Sequence, residues 1–167
     1  MKMDLKRSLL RAVAMLGVML MASIALGAPV GAAEKEVLDL INQQRATAGC
    51  GPLAMQVQLT AAARGHSDAM AVQNFFSHNG KRGSTMPRRV KAQGYAGRFL
   101  AENIAAGQSS AGNVVTTWMQ SAGHRRNILN CRYTETGIAL TYQANDAPIK
   151  GSRYGLHYYW VQVFGRP

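Results

Sequence analysis

Two stretches near the carboxyl end, TGIALTYQ (residues 136–143) and LHYYWVQVFG (residues 156–165), decide the fold class of this chain. Both are rich in β-branched and aromatic residues, and a polar loop that contains Asn145, Asp146 and Pro148 separates them. Because both stretches are apolar on both faces, we expect two strands of a sheet that is covered on each side.

Helical patterns fill most of the preceding chain. Residues 34–48 repeat apolar positions at helical spacing and end at Gly49, and a second helix carries an apolar stripe along its length. That stripe consists of Leu59, Ala62, Ala63, His66 and Met70. We expect His66 to be a satisfied core histidine rather than a ligand.

The middle of the chain alternates turns, helices and one strand. The turn-rich NFFSHNGKRGS (residues 74–84) presents His78, and Ser84 is predicted to cap a short helix that ends at Gly94. RFLAENIAAG (residues 98–107) predicts a strand, and Trp118 belongs to a further helix, after which His124 lies in a turn.

This order, helices first and strands last without regular βαβ alternation, predicts an α+β fold with a three-layer α-β-α sandwich. We find no internal repeat or linker, and 167 residues fit one domain. The domain is predicted to span residues 34–167.

Residues 1–33 have the pattern of a secretory signal peptide. A basic start precedes an uncharged apolar run, and Val30-Gly31-Ala32 fits a small-x-small cleavage pattern. The alternative is an uncleaved membrane anchor, but Gly27 and Pro29 interrupt the run. We therefore expect a secreted protein, periplasmic or extracellular, without a stable transmembrane span after cleavage.

The charge of the chain favours anionic partners. Its formal net charge is +11, and removal of residues 1–33 lowers this to about +8. Nucleic acid is a common partner of basic domains, but an exported protein meets wall polymers or anionic lipid instead. A basic protein with no dedicated anionic partner is an equally good interpretation.

Two cysteines, Cys50 and Cys131, predict one disulfide in an exported chain. The rival interpretation makes Cys50 a nucleophile. It is weaker, because Cys50 lies in a turn with no helix amino-terminus directly after it to lower its pKa.

Common catalytic motifs are missing from the sequence: there is no H-E-x-x-H, G-x-S-x-G, phosphate-binding glycine loop or paired C-x-x-C. Candidate site residues are instead scattered near the ends of predicted elements. They are His78, Glu102, Ser121, His124, Tyr159 and Gln162.

Taken in order, FFSH, AENIAAG, WMQSAGHRRNIL, ETGIAL and YYWVQVFG resemble the CAP superfamily, or SCP domain, closest to its short bacterial branch. This superfamily includes cysteine-rich secretory proteins, antigen 5 and plant pathogenesis-related 1 proteins. The resemblance runs from about Val37 to Phe164 and implies an α-β-α sandwich.

The resemblance also implies a cavity lined by two histidines and two acids, which binds zinc in some members. Carried over by motif, the first histidine is His78 and the first acid is Glu102. The second acid is replaced by Ser121, and the second histidine, placed before x-x-Q of the last strand, by Tyr159.

Three interpretations of the site remain open. His124 could restore a second imidazole, so that His78, Glu102 and His124 form a zinc site for a metal-assisted hydrolase of peptide or cell-wall bonds. Alternatively, Ser121 and His124 only satisfy carbonyls at a helix end. The interpretation we favour is a non-catalytic binding cleft for a cell-envelope polymer, lipid or protein, formed by His78, Glu102, Ser121, His124, Tyr159 and Gln162.

Overall fold

The computed structural model describes residues 31–167, so the predicted signal peptide lies outside the described residues except for its last three. The helices are α1 (Ala32–Thr47), α2 (Val57–Val72), α3 (Met86–Ala92), α4 (Ala111–Gln120) and α5 (Ala122–Ile128), with a 3-10 turn at Lys81–Gly83. The strands are β1 (Ala54–Met55), β2 (Phe99–Ala106), β3 (Glu135–Tyr142) and β4 (Tyr158–Arg166).

The four described strands form one sheet in the order β1-β3-β4-β2. The short β1 runs parallel to β3, whereas β4 pairs antiparallel with both β3 and β2. The strands expected at residues 98–107, 136–143 and 156–165 are confirmed to within two residues at each end, and β1 is an addition.

Two apolar cores, one on each face of the sheet, confirm the three-layer sandwich. On one face, α1, α4 and α5 cover a core that includes Val37, Trp118, Ile128 and Trp160. On the other face, α2 and α3 cover a core that includes Leu59 and Met70. Successive residues of β4 therefore enter opposite cores, as the two-faced apolar pattern indicated.

Three local expectations differ from the structure. Thr85, not Ser84, occupies the capping position of α3, and its side chain makes no cap bond. The first helix begins at Ala32, two residues before the expected domain boundary. His124 lies within α5 rather than in a turn, because the chain resumes a helix immediately after Ser121.

Within residues 31–167, no helix is both long and apolar enough to cross a membrane.

Gly137 in β3 allows the sheet and α2 to approach each other closely. A Cβ atom added to Gly137 would lie 2.0 Å from the carbonyl carbon of Leu59 and 2.1 Å from the amide nitrogen of Thr60. Both are backbone atoms, so neither can turn away as a side chain would. The start of α2 can therefore pack directly against the sheet only because residue 137 has no side chain.

The guanidinium of Arg45 joins the end of α1 to three later segments. Arg45 is 1% exposed. Its nitrogens donate to the carbonyls of Gly51, Ile128, Asn130 and Tyr133, at 2.7 to 3.1 Å. The disulfide between Cys50 and Cys131 is confirmed. It links the chain just after α1 to the segment between α5 and β3.

Replacing Arg45 with Met should lower the free energy of unfolding by about 3 kcal/mol, because buried carbonyls lose their donors. Urea unfolding of the oxidised protein measures this change. Lys35→Met, on the exposed side of α1, is the control and should change stability by no more than about 0.5 kcal/mol. Similar losses for both variants would contradict the role assigned to Arg45.

Gly137→Ala should destabilise the protein by about 2 kcal/mol or more, since α2 must move away from the sheet. The matched control is Gly112→Ala in α4, where a Cβ would meet no atom within 4 Å. That control should be neutral or slightly stabilising, because alanine favours helix more than glycine does. Thermal unfolding of the two variants compares them directly.

Candidate functional site

The candidate site lies at β2, an edge strand of the described sheet, whose consecutive residues face opposite helical layers. Glu102 faces the α2 and α3 side, together with Ile104. Asn103 faces the α1, α4 and α5 side, together with Ala105. The two layers are thus connected to one site by adjacent residues of a single strand.

Both oxygens of the Glu102 carboxylate are occupied. His78, in the connection after α2, donates from Nδ1 to Oε1 at 2.9 Å. Arg89 of α3 donates from Nη2 to Oε2 at 2.7 Å and to the carbonyl oxygen of His78 at 3.2 Å. The side chain of Glu102 is only 3% exposed, whereas that of His78 is 55% exposed. His78 is therefore the solvent-exposed member of this pair.

His124 approaches the cluster from the other layer. Burial lowers the pKa of His124 below its ordinary value, and the charge of the neighbouring His78 lowers it further. Its Nδ1 atom is buried and has no hydrogen-bond partner among the described residues. The expectation that His124 satisfies carbonyls at a helix end is therefore not met at this atom. His78 and His124 are close enough to influence each other.

Asn103 and Asn127 hold α5 against β2. The buried Asn103 donates from Nδ2 to the carbonyl oxygen of His124 at 3.3 Å, and Asn127 donates to Oδ1 of Asn103 at 2.9 Å. Asn127 also donates to the carbonyl oxygen of Glu102 at 3.5 Å. Sequence reasoning missed Asn103, although a polar residue that points into an apolar core next to Glu102 was a usable signal.

His66 supports the connection that carries His78. It is buried, and its Nε2 donates to the carbonyl oxygen of Ser77 at 2.9 Å. Burial, followed by the charge of Arg89, lowers the pKa of His66. This agrees with the expected core histidine, although its Nδ1 has no partner among the described residues.

The remaining predicted cleft residues do not join this cluster. Tyr159 and Gln162 are fully buried in β4, so neither lines a solvent-accessible cleft. The hydroxyl of Tyr159 donates to Asp146 at 2.8 Å, and Gln162 donates to the hydroxyl of Thr136 at 3.3 Å. Ser121 is the half-buried junction of α4 and α5, and its side chain makes no cap bond to α5.

At the position that the resemblance gives to the second histidine, Tyr159 is buried and its hydroxyl donates to Asp146. Of the two candidates for a second polar partner, His124 is the one whose pKa the charge of His78 lowers, whereas Tyr159 is bonded to Asp146. The resemblance assigns this position from the spacing between Tyr159 and Gln162. That spacing does not show where α5 lies in the fold.

The donor set fits zinc poorly. Across residues 31–167, no group of three or more His, Cys, Asp or Glu side chains is placed to hold a metal ion. Glu102 is already shared between His78 and Arg89, and a zinc site needs about three protein donors. Zinc binding by His78 and His124 stays a prediction.

We expect His78→Gln to raise the pKa of His124, because a neighbouring positive charge is removed. The pKa should remain below the ordinary histidine value of about 6.5, since burial is the larger cause. An NMR titration of the histidine ring signals measures it, with Lys35→Gln as a variant of equal charge change. An unchanged His124 pKa in His78→Gln would show that the charge of His78 does not act on His124.

Several known proteins are similar to this chain in sequence. The family model of the cysteine-rich secretory protein family, CAP, matches residues 38–164. The uncharacterized protein YkwD of Bacillus subtilis is 38% identical over 109 residues, which cover 65% of this chain and 42% of YkwD. The uncharacterized membrane protein YlbC of the same organism is 33% identical over 107 residues, covering 64% of this chain and 31% of YlbC. The chain thus spans less than half the length of these relatives.

Solved structures show the same fold. An extracellular protein containing an SCP domain, from Bacillus anthracis, superposes with a TM-score of 0.68 at 26% identity, over 84% of this chain and 45% of that one. An outer surface protein of Borrelia burgdorferi superposes with a TM-score of 0.70 at 17% identity, over 84% of this chain and 98% of that one. Because the family model covers well over half of its length, the chain belongs to the cysteine-rich secretory protein (CAP) family.

Proposed function

We propose that this protein is an exported, non-catalytic binding module that takes an anionic group of a cell-envelope component. The binding cleft consists of His78, Arg89, Glu102 and His124. The observation that carries the proposal is the double engagement of the Glu102 carboxylate by His78 and Arg89. The acid is thereby committed to holding the cleft together, and the ring of His78 remains at the surface.

The charge around the cleft is positive. Four basic residues belong to the segments that carry His78 and His124, and each is exposed: Lys81, Arg82, Arg125 and Arg126. None of them is in an ion pair with a described carboxylate, since the ion pairs of residues 31–167 use Lys35, Arg64, His78 and Arg89. An anionic group would therefore meet cations whose charge is not already compensated.

A metal-assisted hydrolase is the weaker proposal. A general base or metal ligand needs a carboxylate oxygen that can reach the substrate or the ion. Each oxygen of Glu102 already accepts one bond and its side chain is only 3% exposed, so a substrate or an ion reaches the carboxylate only if His78 or Arg89 moves. The binding role requires no such rearrangement.

An exported location is consistent with the relatives. The structural neighbour from Bacillus anthracis is described as extracellular, and YlbC as a membrane protein. We extend a cell-envelope location to this chain as part of the proposal, together with the signal peptide expected at residues 1–33.

Binding of inorganic polyphosphate, used as a polyanionic probe, tests the cleft. Arg125→Gln should weaken binding by about threefold or more, because a cation close to the anion is lost. Lys35→Gln is the control of equal charge change, and it lies on α1. Raising the salt concentration should weaken binding to the wild-type protein and reduce the difference between the variants.

Equal losses of polyphosphate affinity in Arg125→Gln and Lys35→Gln would show attraction to net charge alone and would contradict a cleft at α5.

Native mass spectrometry of protein purified without chelators tests the alternative, a metal-assisted hydrolase. Stoichiometric zinc that disappears in His124→Gln would favour the hydrolase over the binding module.

A further inference from the structure

A second cavity lies away from the cleft, where the beginning of α2, the connection from α3 to β2 and the beginning of β3 meet. Its volume is about 260 Å³. Its walls include Gln56, Gln58, Tyr95, Ala96, Glu135 and Pro167. None of the cleft residues lines it. A single water molecule occupies roughly 30 Å³ in the liquid, so the cavity holds a small organic group but no polymer.

Glu135 gives this cavity a carboxylate without a cation. One of its oxygens, Oε2, accepts a hydrogen bond from the hydroxyl of Tyr95 at 2.6 Å. Within residues 31–167 it forms no ion pair, although the whole chain carries 19 lysines and arginines against 8 acids. The nearby guanidinium of Arg132 lies over the ring of Phe99 instead, at 4.0 Å from its centroid.

The acceptors of the cavity are centred on Glu135 and Tyr95, whereas the side-chain amides of Gln56 and Gln58 also carry N–H donors. The Tyr95 hydroxyl donates its proton to Glu135, so only its lone pairs are left to face a ligand. Burial and this bond raise the pKa of Tyr95, and the phenol stays protonated. At the start of α2, the side-chain oxygen of Gln56 accepts from the amides of Gln58 and Leu59, which removes those donors from competition.

Two glycines fix the position of Tyr95. A Cβ at Gly97 would lie 2.3 Å from the tyrosine ring, and one at Gly165 would lie 2.4 Å from its hydroxyl oxygen. The ring can therefore occupy its place only because both side chains are missing. The hydrogen bond between Tyr95 and Glu135 is preorganised by the packing of the backbone around it.

We propose that this cavity is a second ligand site, which takes a primary ammonium group on a short aliphatic stem, such as a lysine side chain. An ammonium has three donors and no acceptor, so it matches a carboxylate and a phenol oxygen that can only accept. The ring of Tyr95 and the side chains of Ala96 and Pro167 provide apolar walls for the stem. The site selects a charge opposite to that of the proposed anion cleft and is independent of it.

An NMR titration of the isotopically labelled protein with n-butylammonium tests this site. The amide signals of Gly94 and Gly97 should shift in a saturable way. Neutral n-butanol should bind at least about tenfold more weakly, because it offers no charge-assisted hydrogen bond to Glu135. Butyrate, which carries the opposite charge, should produce no saturable shift at these positions.

Glu135→Gln should weaken n-butylammonium binding at least about tenfold, since the amide keeps the shape of the carboxylate but loses its charge. Glu36→Gln, an exposed acid on α1, should leave binding unchanged. Tyr95→Phe keeps the ring and should also weaken binding, which provides a second variant if Glu135→Gln does not fold. Equal affinities for n-butylammonium and n-butanol, or full binding by both site variants, would overturn the proposal. The result is separate from the polyphosphate test, which depends on other residues.

Discussion

The buried guanidinium of Arg45 is the interaction on which the arrangement of the site depends. It lies near the end of α1 and donates to carbonyls of Ile128, Asn130 and Tyr133, which are more than 80 positions later in the sequence. A charged group without a carboxylate partner is tolerated there because every bond to it is charge-assisted. The same segments are linked covalently by Cys50 and Cys131. Together these constraints fix where α5 ends and where β3 begins, and α5 carries His124.

The second constraint is the edge strand β2. Glu102 and Asn103 are neighbours in sequence but face opposite layers of the sandwich. Glu102 binds His78 and Arg89 from one layer, and Asn103 binds the backbone of His124 from the other. The site therefore exists because one strand reaches both layers at the border of the sheet. The indole nitrogen of Trp118 donates to the carbonyl oxygen of Ile104 at 3.3 Å, which occupies part of the free edge.

How far the site could be predicted follows from the same geometry. The resemblance assigned His78 and Glu102 to one cavity because both belong to recognisable motifs, and the structure joins them by a hydrogen bond. The bond from Arg89 to Glu102 could not be predicted, because it depends on how α3 packs against β2. Tyr159 was expected in the cleft, but it is buried in β4, where its hydroxyl donates to Asp146. The sequence carried no signal for the cavity at Glu135, since its walls come from four separate segments.

The sequence by itself determined the layers and most of the elements, but not the short β1 and α5. Apolar residues at a period near 3.6 gave the helices, strands that are apolar on both faces required cover on both sides, and two cysteines predicted the disulfide. Periodicity is a local property of the sequence, and the disulfide follows from the number of cysteines. Only the tertiary structure decided which polar groups meet: Arg45 with distant carbonyls, Glu102 with Arg89, and Asn103 with the backbone of His124. Such contacts depend on strand register and on the packing of short helices, which no local periodicity encodes.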